Sequence, residues 1–103
     1  MEGGYRILWT DHALKELTET YNYLKTHFTE REMRKLSTEI DKTLKLISIN
    51  PSLFPKSEFK EVRRIVIKKF NIMYYREKEN TVEILSFFSN RQNPDKSKTF
   101  IFS

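Results

Sequence analysis

Between Arg63 and Arg91 the sequence concentrates side chains that grip anions or carry exchangeable protons: Arg63, Arg64, Lys68, Lys69, Tyr74, Tyr75 and Arg91. An arginine offers a planar fork of donors that matches phosphate or carboxylate, and a tyrosine a hydroxyl that can donate or accept. Spacing limits how they combine. Successive side chains of an extended chain point to opposite faces, so Arg63 and Arg64 cannot both serve one surface. Arg64 and Lys68 share a face if no bulge intervenes, as do Arg63 and Lys69; the alternative for the two lysines is a solvated turn. Of Tyr74 and Tyr75, one is expected in the core and the other exposed with its hydroxyl available. In "FFSNRQNP" the apolar run stops at Ser89. Phe87 and Phe88 should finish a strand, one inward and one toward the binding face. A following loop would lift Arg91 clear of the core, with Asn90, Gln92 and Asn93 either joining that patch or turning the chain ahead of Pro94.

Other chemistries find little support. His12 and His27 fall at the two ends of one helical pattern, where a histidine is usually solvated or bonded locally. No His, Asp or Glu spacing suits a metal, and with Gly3 and Gly4 alone there is no glycine-rich phosphate loop. No metal and no cofactor is therefore expected. The chain has no cysteine, which removes disulfides and thiolate chemistry and fits a reducing compartment.

The elements that would position these residues follow from periodicity. "YRILW" alternates, with Tyr5, Ile7 and Trp9 on one side, and predicts a short strand. Thr10 and Asp11 offer an N-cap, after which Leu14, Leu17, Tyr21, Leu24 and Phe28 step by three and four along one helical stripe. Thr29 and Glu32 have capping-box spacing, with Phe28 and Met33 placed as a hydrophobic staple. A second stripe, Met33, Leu36, Ile40, Leu44 and Ile47, runs to Asn50 and Pro51. The short link predicts an antiparallel helical hairpin. "VRRIVIKKF", "NIMYYRE" and "TVEILSFF" then read as three successive strands, with "EKEN" as a turn. The result is an α+β chain of order β-α-α-β-β-β, helices on a sheet. The tail "SKTFIFS" could cover a core edge or serve as an interaction segment.

A length of 103 residues suits one domain, 1–103. The opening residues do not read as a secretory signal, and no segment has the ~20 apolar residues of a membrane span, so a soluble cytoplasmic protein is expected. The net charge of +5 is uneven: up to Pro51 eight basic residues face eight acids, whereas from Ser52 onward eleven face six. The second half is the candidate for meeting a polyanion or an acidic partner.

In this order, "YRILWTDHALKELTETYNYL", "ISINPSLFP", "VRRIVIKKFNIMYYRE" and "VEILSFFSNRQNP" resemble the RelE/ParE superfamily of type II toxin–antitoxin toxins, over about Tyr5 to Pro94. The matching features are an aromatic first strand, Ala13, Pro51, an arginine opening the next strand, Tyr74 and Arg91. The "NRQNP" ending is similar to that of toxins from plasmid-stabilisation systems. The resemblance implies a microbial-RNase-like fold with the helical hairpin on an antiparallel sheet. It also implies a cognate antitoxin, whose often acidic segment would suit the basic second half, and contact with operator DNA only through that antitoxin.

Two activities divide the superfamily: ribosome-dependent mRNA cleavage in RelE-like members, and binding and poisoning of DNA gyrase in ParE-like ones. Cleavage through a 2′-hydroxyl needs a base, a cation for the crowded phosphate and an acid for the leaving oxygen. Cations are plentiful here: Arg64, Arg91, Lys56 and Lys60. Proton carriers are scarce, because Phe88, Ser89, Phe100 and Phe102 stand where RelE-like nucleases place histidine or tyrosine. Tyr74 or Tyr75 beside an arginine, or Glu58, Glu61 or Glu83 near Arg64, are the possible substitutes. The gyrase-directed reading is therefore favoured, with Arg63, Arg64, Lys68, Tyr74, Tyr75, Asn90 and Arg91 as binding residues. On the mRNA-interferase alternative Arg64, Tyr74 and Arg91 carry the chemistry. A non-toxic remnant that only binds antitoxin is the third reading.

Overall fold

The computed structural model describes residues 4–89. Asn90, Arg91 and the tail with Phe100 and Phe102 lie outside the described residues. The elements follow the expected order: β1 (Arg6–Trp9), α1 (Asp11–His27), α2 (Glu30–Ile49), β2 (Arg63–Ile67), β3 (Asn71–Lys78) and β4 (Thr81–Ser89). Both helix starts are capped as the sequence suggests: the Ala13 N–H donates to Thr10 Oγ1 at 3.2 Å and the Glu32 N–H to Thr29 Oγ1 at 3.3 Å. Two residues separate the helices, and the Tyr21 and Ser37 hydroxyls are hydrogen-bonded across the hairpin at 2.6 Å.

The four strands form one sheet in the order β1-β4-β3-β2. The β2–β3 and β3–β4 pairs are antiparallel, but β1 runs parallel to β4, with Arg6 opposite Thr81 and Trp9 opposite Ile84. The sheet is thus mixed, because the α1–α2 hairpin returns the chain to the far edge rather than beside β1. A register shift falls between Tyr74 and Tyr75: Tyr74 pairs with Ser86 and Tyr75 with Ile84, so Leu85 is an extra residue in β4.

Both faces of the sheet are apolar at its centre, and each has its own cluster. On the helix side Ile65, Ile67, Met73, Tyr75, Val82, Ile84 and Phe87 pack against Ala13, Leu24, Leu36, Ile40 and Ile47. On the other side Val62, Ile72, Tyr74 and Phe88 form a smaller cluster with Phe59 and Leu85. The buried face of α1 differs from the expected stripe. Leu14 and Phe28 are 46% and 39% exposed, while Ala13, Glu16, Thr20 and Leu24 are buried. A glutamate occupies the middle of that face because β4 needs an acceptor there. The Ser86 hydroxyl donates to Glu16 Oε1 at 2.6 Å and the Phe87 N–H to the same oxygen at 2.9 Å. The Thr10 hydroxyl donates to the Ile84 carbonyl at 3.0 Å. Beyond Trp9 no strand among the described residues pairs this side of β4, and the start of α1 supplies the missing partners.

Candidate binding site on the sheet face away from the helices

The register sorts the candidates by face. Arg63 lies opposite Tyr75 and Arg64 opposite Tyr74, so the two arginines serve different surfaces, as alternation requires. Arg63 Nη1 donates to the Phe54 carbonyl at 2.7 Å, and the Tyr75 hydroxyl to the Pro51 carbonyl at 2.6 Å. Both residues of this pair fasten the segment that follows α2.

Arg64 and Tyr74 form the other pair, and the connection before β2 completes it. The Ser57 N–H and hydroxyl both donate to the Val62 carbonyl at 2.8 Å, and the Phe59 N–H donates to Ser57 Oγ at 3.0 Å. This tight turn folds Phe59 edge-on over the Tyr74 ring, centroids 5.5 Å apart, while Phe88 stacks on it at 6.1 Å. The same turn brings Glu58 close enough to the Tyr74 hydroxyl for its charge to act there, opposed by that of Arg64. Of the three candidate glutamates, Glu58 is the one held at this pair. Glu83 accepts from Arg76 Nε at 2.6 Å, and Glu61 lines a cleft with Lys56, Arg63 and Glu77.

The expectation that one of Tyr74 and Tyr75 is exposed is not met: they are 1% and 0% exposed. Alternation does send them to opposite faces, but Phe59, Phe88 and Leu85 cover the second face as well. Burial is the main cause that pushes the Tyr74 hydroxyl above the ordinary 10.0; the Glu58 charge adds to it and Arg64 opposes it. Burial likewise raises Tyr75, against the pull of the Arg63 charge and the nearby Phe54 backbone. Such hydroxyls donate hydrogen bonds at neutral pH and do not serve as bases there. Arg64, exposed beside them, can bind an anionic group.

Lys68 does not share a face with Arg64. β2 ends at Ile67, and Lys68 and Lys69 turn the chain with φ of 53° and 71°, which carries Lys68 to the helix side against α2. The alternative of a solvated turn is the one realised. His12 and His27 are bonded locally, to Glu16 at 3.2 Å and to the Tyr23 carbonyl at 3.1 Å. Phe59, which shapes the site, was not singled out by the sequence; its one signal is an aromatic residue inside the polar stretch "KSEFKE". Among the described residues no three His, Asp or Glu side chains are grouped to hold a metal, and no helix is long and apolar enough to cross a membrane.

The profile of the family described as "ParE toxin of type II toxin-antitoxin system, parDE" matches residues 7–94. Solved structures with the same architecture include the chromosomal ParDE system from P. aeruginosa, at 19% identity and a TM-score of 0.70, covering 82% of this chain and 95% of that one. The E. coli DinJ-YafQ toxin-antitoxin complex is similar at 16% identity and 0.53, covering 87% and 97%. A conserved hypothetical protein from Helicobacter pylori is similar at 18% and 0.52, covering 84% and 96%. These identities speak for the shared fold alone. No curated protein matches the sequence.

Proposed function

The chain belongs to the ParE toxin family of type II toxin–antitoxin systems, and from that premise we propose that it is a ParE-like toxin that arrests growth by binding DNA gyrase. On this reading a cognate antitoxin neutralises it, as the complexes among its structural relatives suggest. The observation that carries the gyrase-directed reading is the state of Tyr74 and Tyr75. Both are buried and both hold their protons more tightly than an ordinary tyrosine. Neither suits the base that cleavage of RNA through a 2′-hydroxyl requires. Arg64 on this reading is a contact for an acidic group of the target, and Arg91 a second one.

One observation favours a second reading, ribosome-dependent mRNA cleavage. The Glu58 carboxylate and the Arg64 guanidinium both act electrostatically on the Tyr74 hydroxyl. Glu58 would then take the proton and Arg64 hold the phosphate. The experiment that separates the two is induction of the full chain without antitoxin, with supercoiling by purified gyrase assayed in parallel with mapping of new mRNA 5′ ends. Inhibited supercoiling with intact mRNA supports the proposal. New ends inside translated frames with gyrase unaffected overturn it, and unimpaired growth would mean that the chain only binds its antitoxin.

A further inference from the structure

On the opposite side of the molecule from Arg64, α2 and the β2–β3 turn enclose an open trench of about 580 Å³ lined by Arg31, Arg34, Lys35, Thr38, Glu39 and Lys68. The first four follow one another at i, i+3, i+4 and i+7 on α2, a stripe ~10 Å long at the helical rise of 1.5 Å per residue. Three of these cations come from the half of the chain that has no net charge, so composition does not announce them. We propose that this trench is a sequence-independent binding surface for a nucleic-acid phosphate backbone, placed so that the toxin itself touches nucleic acid.

Three observations carry it. Every residue that lines it is polar or charged, its apolar surface being the stems of these long side chains, and no aromatic or aliphatic residue offers a docked peptide an anchoring pocket; a phosphate backbone needs none. The cations are available. Arg34 is held to Glu30 at 3.2 Å, but that pair is 69% and 83% exposed and opens readily; Lys35 stands 4.0 Å from Glu32. Arg31 and Lys68 have no carboxylate within ion-pair distance among the described residues. Finally, Lys68 reaches the trench at a conformational cost. With Lys68 and Lys69 at positive φ, the Phe70 N–H donates to the Lys68 carbonyl at 2.7 Å, a tight turn that glycine or asparagine would make with less strain. Lysine at that point retains a cation where a turn-former would be easier.

Glu39 lines the trench too, so binding should be weak and strongly salt-dependent. The proposal goes beyond the gyrase reading and does not depend on it; it also departs from the expectation that DNA is met only through the antitoxin. The test is fluorescence anisotropy of the full chain with a mixed-sequence 20-base-pair duplex across a salt series, with a poly-glutamate peptide in a parallel arm. The duplex should bind at low salt, with log K falling with log salt at a slope of about −3 for three to four phosphate contacts. Lys68→Gln should weaken binding several-fold and reduce the slope by about 1, and Arg31→Gln with Arg34→Gln should remove at least about tenfold more. Lys15→Gln, on the far helix, should change neither. Lys68→Gly removes the charge while relaxing the turn, so weaker binding with an equal or higher melting temperature excludes misfolding as the cause. No duplex binding at low salt, trench variants that bind like the parent chain, or a peptide bound more tightly than the duplex would each overturn the proposal.

Discussion

The Glu16 carboxylate accepts the Phe87 backbone N–H at 2.9 Å, joining the first helix to the last strand across 71 residues of sequence. The same oxygen accepts the Ser86 hydroxyl, and the glutamate is 2% exposed. It holds β4 immediately beyond the extra residue, Leu85, where β1 has already ended. A side chain here does what a neighbouring strand does elsewhere in the sheet.

Glu16→Ala should therefore cost about 2–4 kcal/mol, because a buried N–H and a buried hydroxyl both lose their acceptor. Glu16→Gln keeps an acceptor oxygen and should lose less than half of that. Urea unfolding with an unchanged m-value is the measurement, and equal losses for the two variants would show that packing rather than the hydrogen bonds matters.

On the proposed mechanism the Tyr74 hydroxyl is structural and the Arg64 guanidinium is the contact. Tyr74→Phe should keep full toxicity at a stability cost of about 1 kcal/mol, whereas Arg64→Ala should restore growth by at least tenfold in colony counts at matched protein level. Lys45→Ala, on α2, serves as the unaffected control. Loss of toxicity in Tyr74→Phe with a folded protein would move the balance to the nuclease reading.

The order of elements, both helix caps and the alternation of Tyr5, Ile7 and Trp9 were legible in the sequence because each depends on neighbours within a few residues. What escaped it depends on distant ones. The parallel β1–β4 pair leaves no local pattern. Glu16 reads as a surface residue until a strand with an unpaired N–H is set against it, although small Ala13 and Thr20 flanking it do signal a closely packed helix face. Tyr74 and Tyr75 alternate as expected, yet both are covered, since period-two reasoning does not foresee a loop that folds Phe59 over the second face. The choice of Glu58 among three glutamates was likewise made by that loop.

Alkaline pH should expose the two buried tyrosines. Their folded values lie above the 10.0 of the unfolded chain, so the folded protein holds these protons more tightly. The associated stability is fully present below pH 10.0 and is lost as pH rises through the folded values. Urea midpoints should be insensitive to these groups between about pH 8 and 9 and fall above about pH 10, and Tyr75→Phe should flatten that fall. Tyrosinate absorbance in the folded protein should lag behind that of the denatured chain.

At the other end of the sheet, a Cβ on Gly4 would lie 2.9 Å from the Ser48 carbonyl oxygen, next to the 2.7 Å hydrogen bond from the Tyr5 N–H to that same oxygen. Backbone cannot yield as a side-chain tip does. Gly4→Ala should cost about 1 kcal/mol, read as a lower thermal midpoint with loss of amide protection at Tyr5 in hydrogen exchange.

The parallel pairing of Arg6–Trp9 with Thr81–Ile84 also governs when this toxin can come into being. β4 sits between β1 and β3, so until β4 has been translated β1 has no strand partner and β3 has only β2. Early segments emerge from the ribosome with their edges unpaired, and assembly waits on contacts 74 residues apart, the slow kind to form. A chain halted before Ile84 contains the β2–β3 pair, Arg64 opposite Tyr74 included, but lacks the rest of β4 and the Phe88 ring that stacks on Tyr74. The topology thus makes a completed sheet depend on translation through β4.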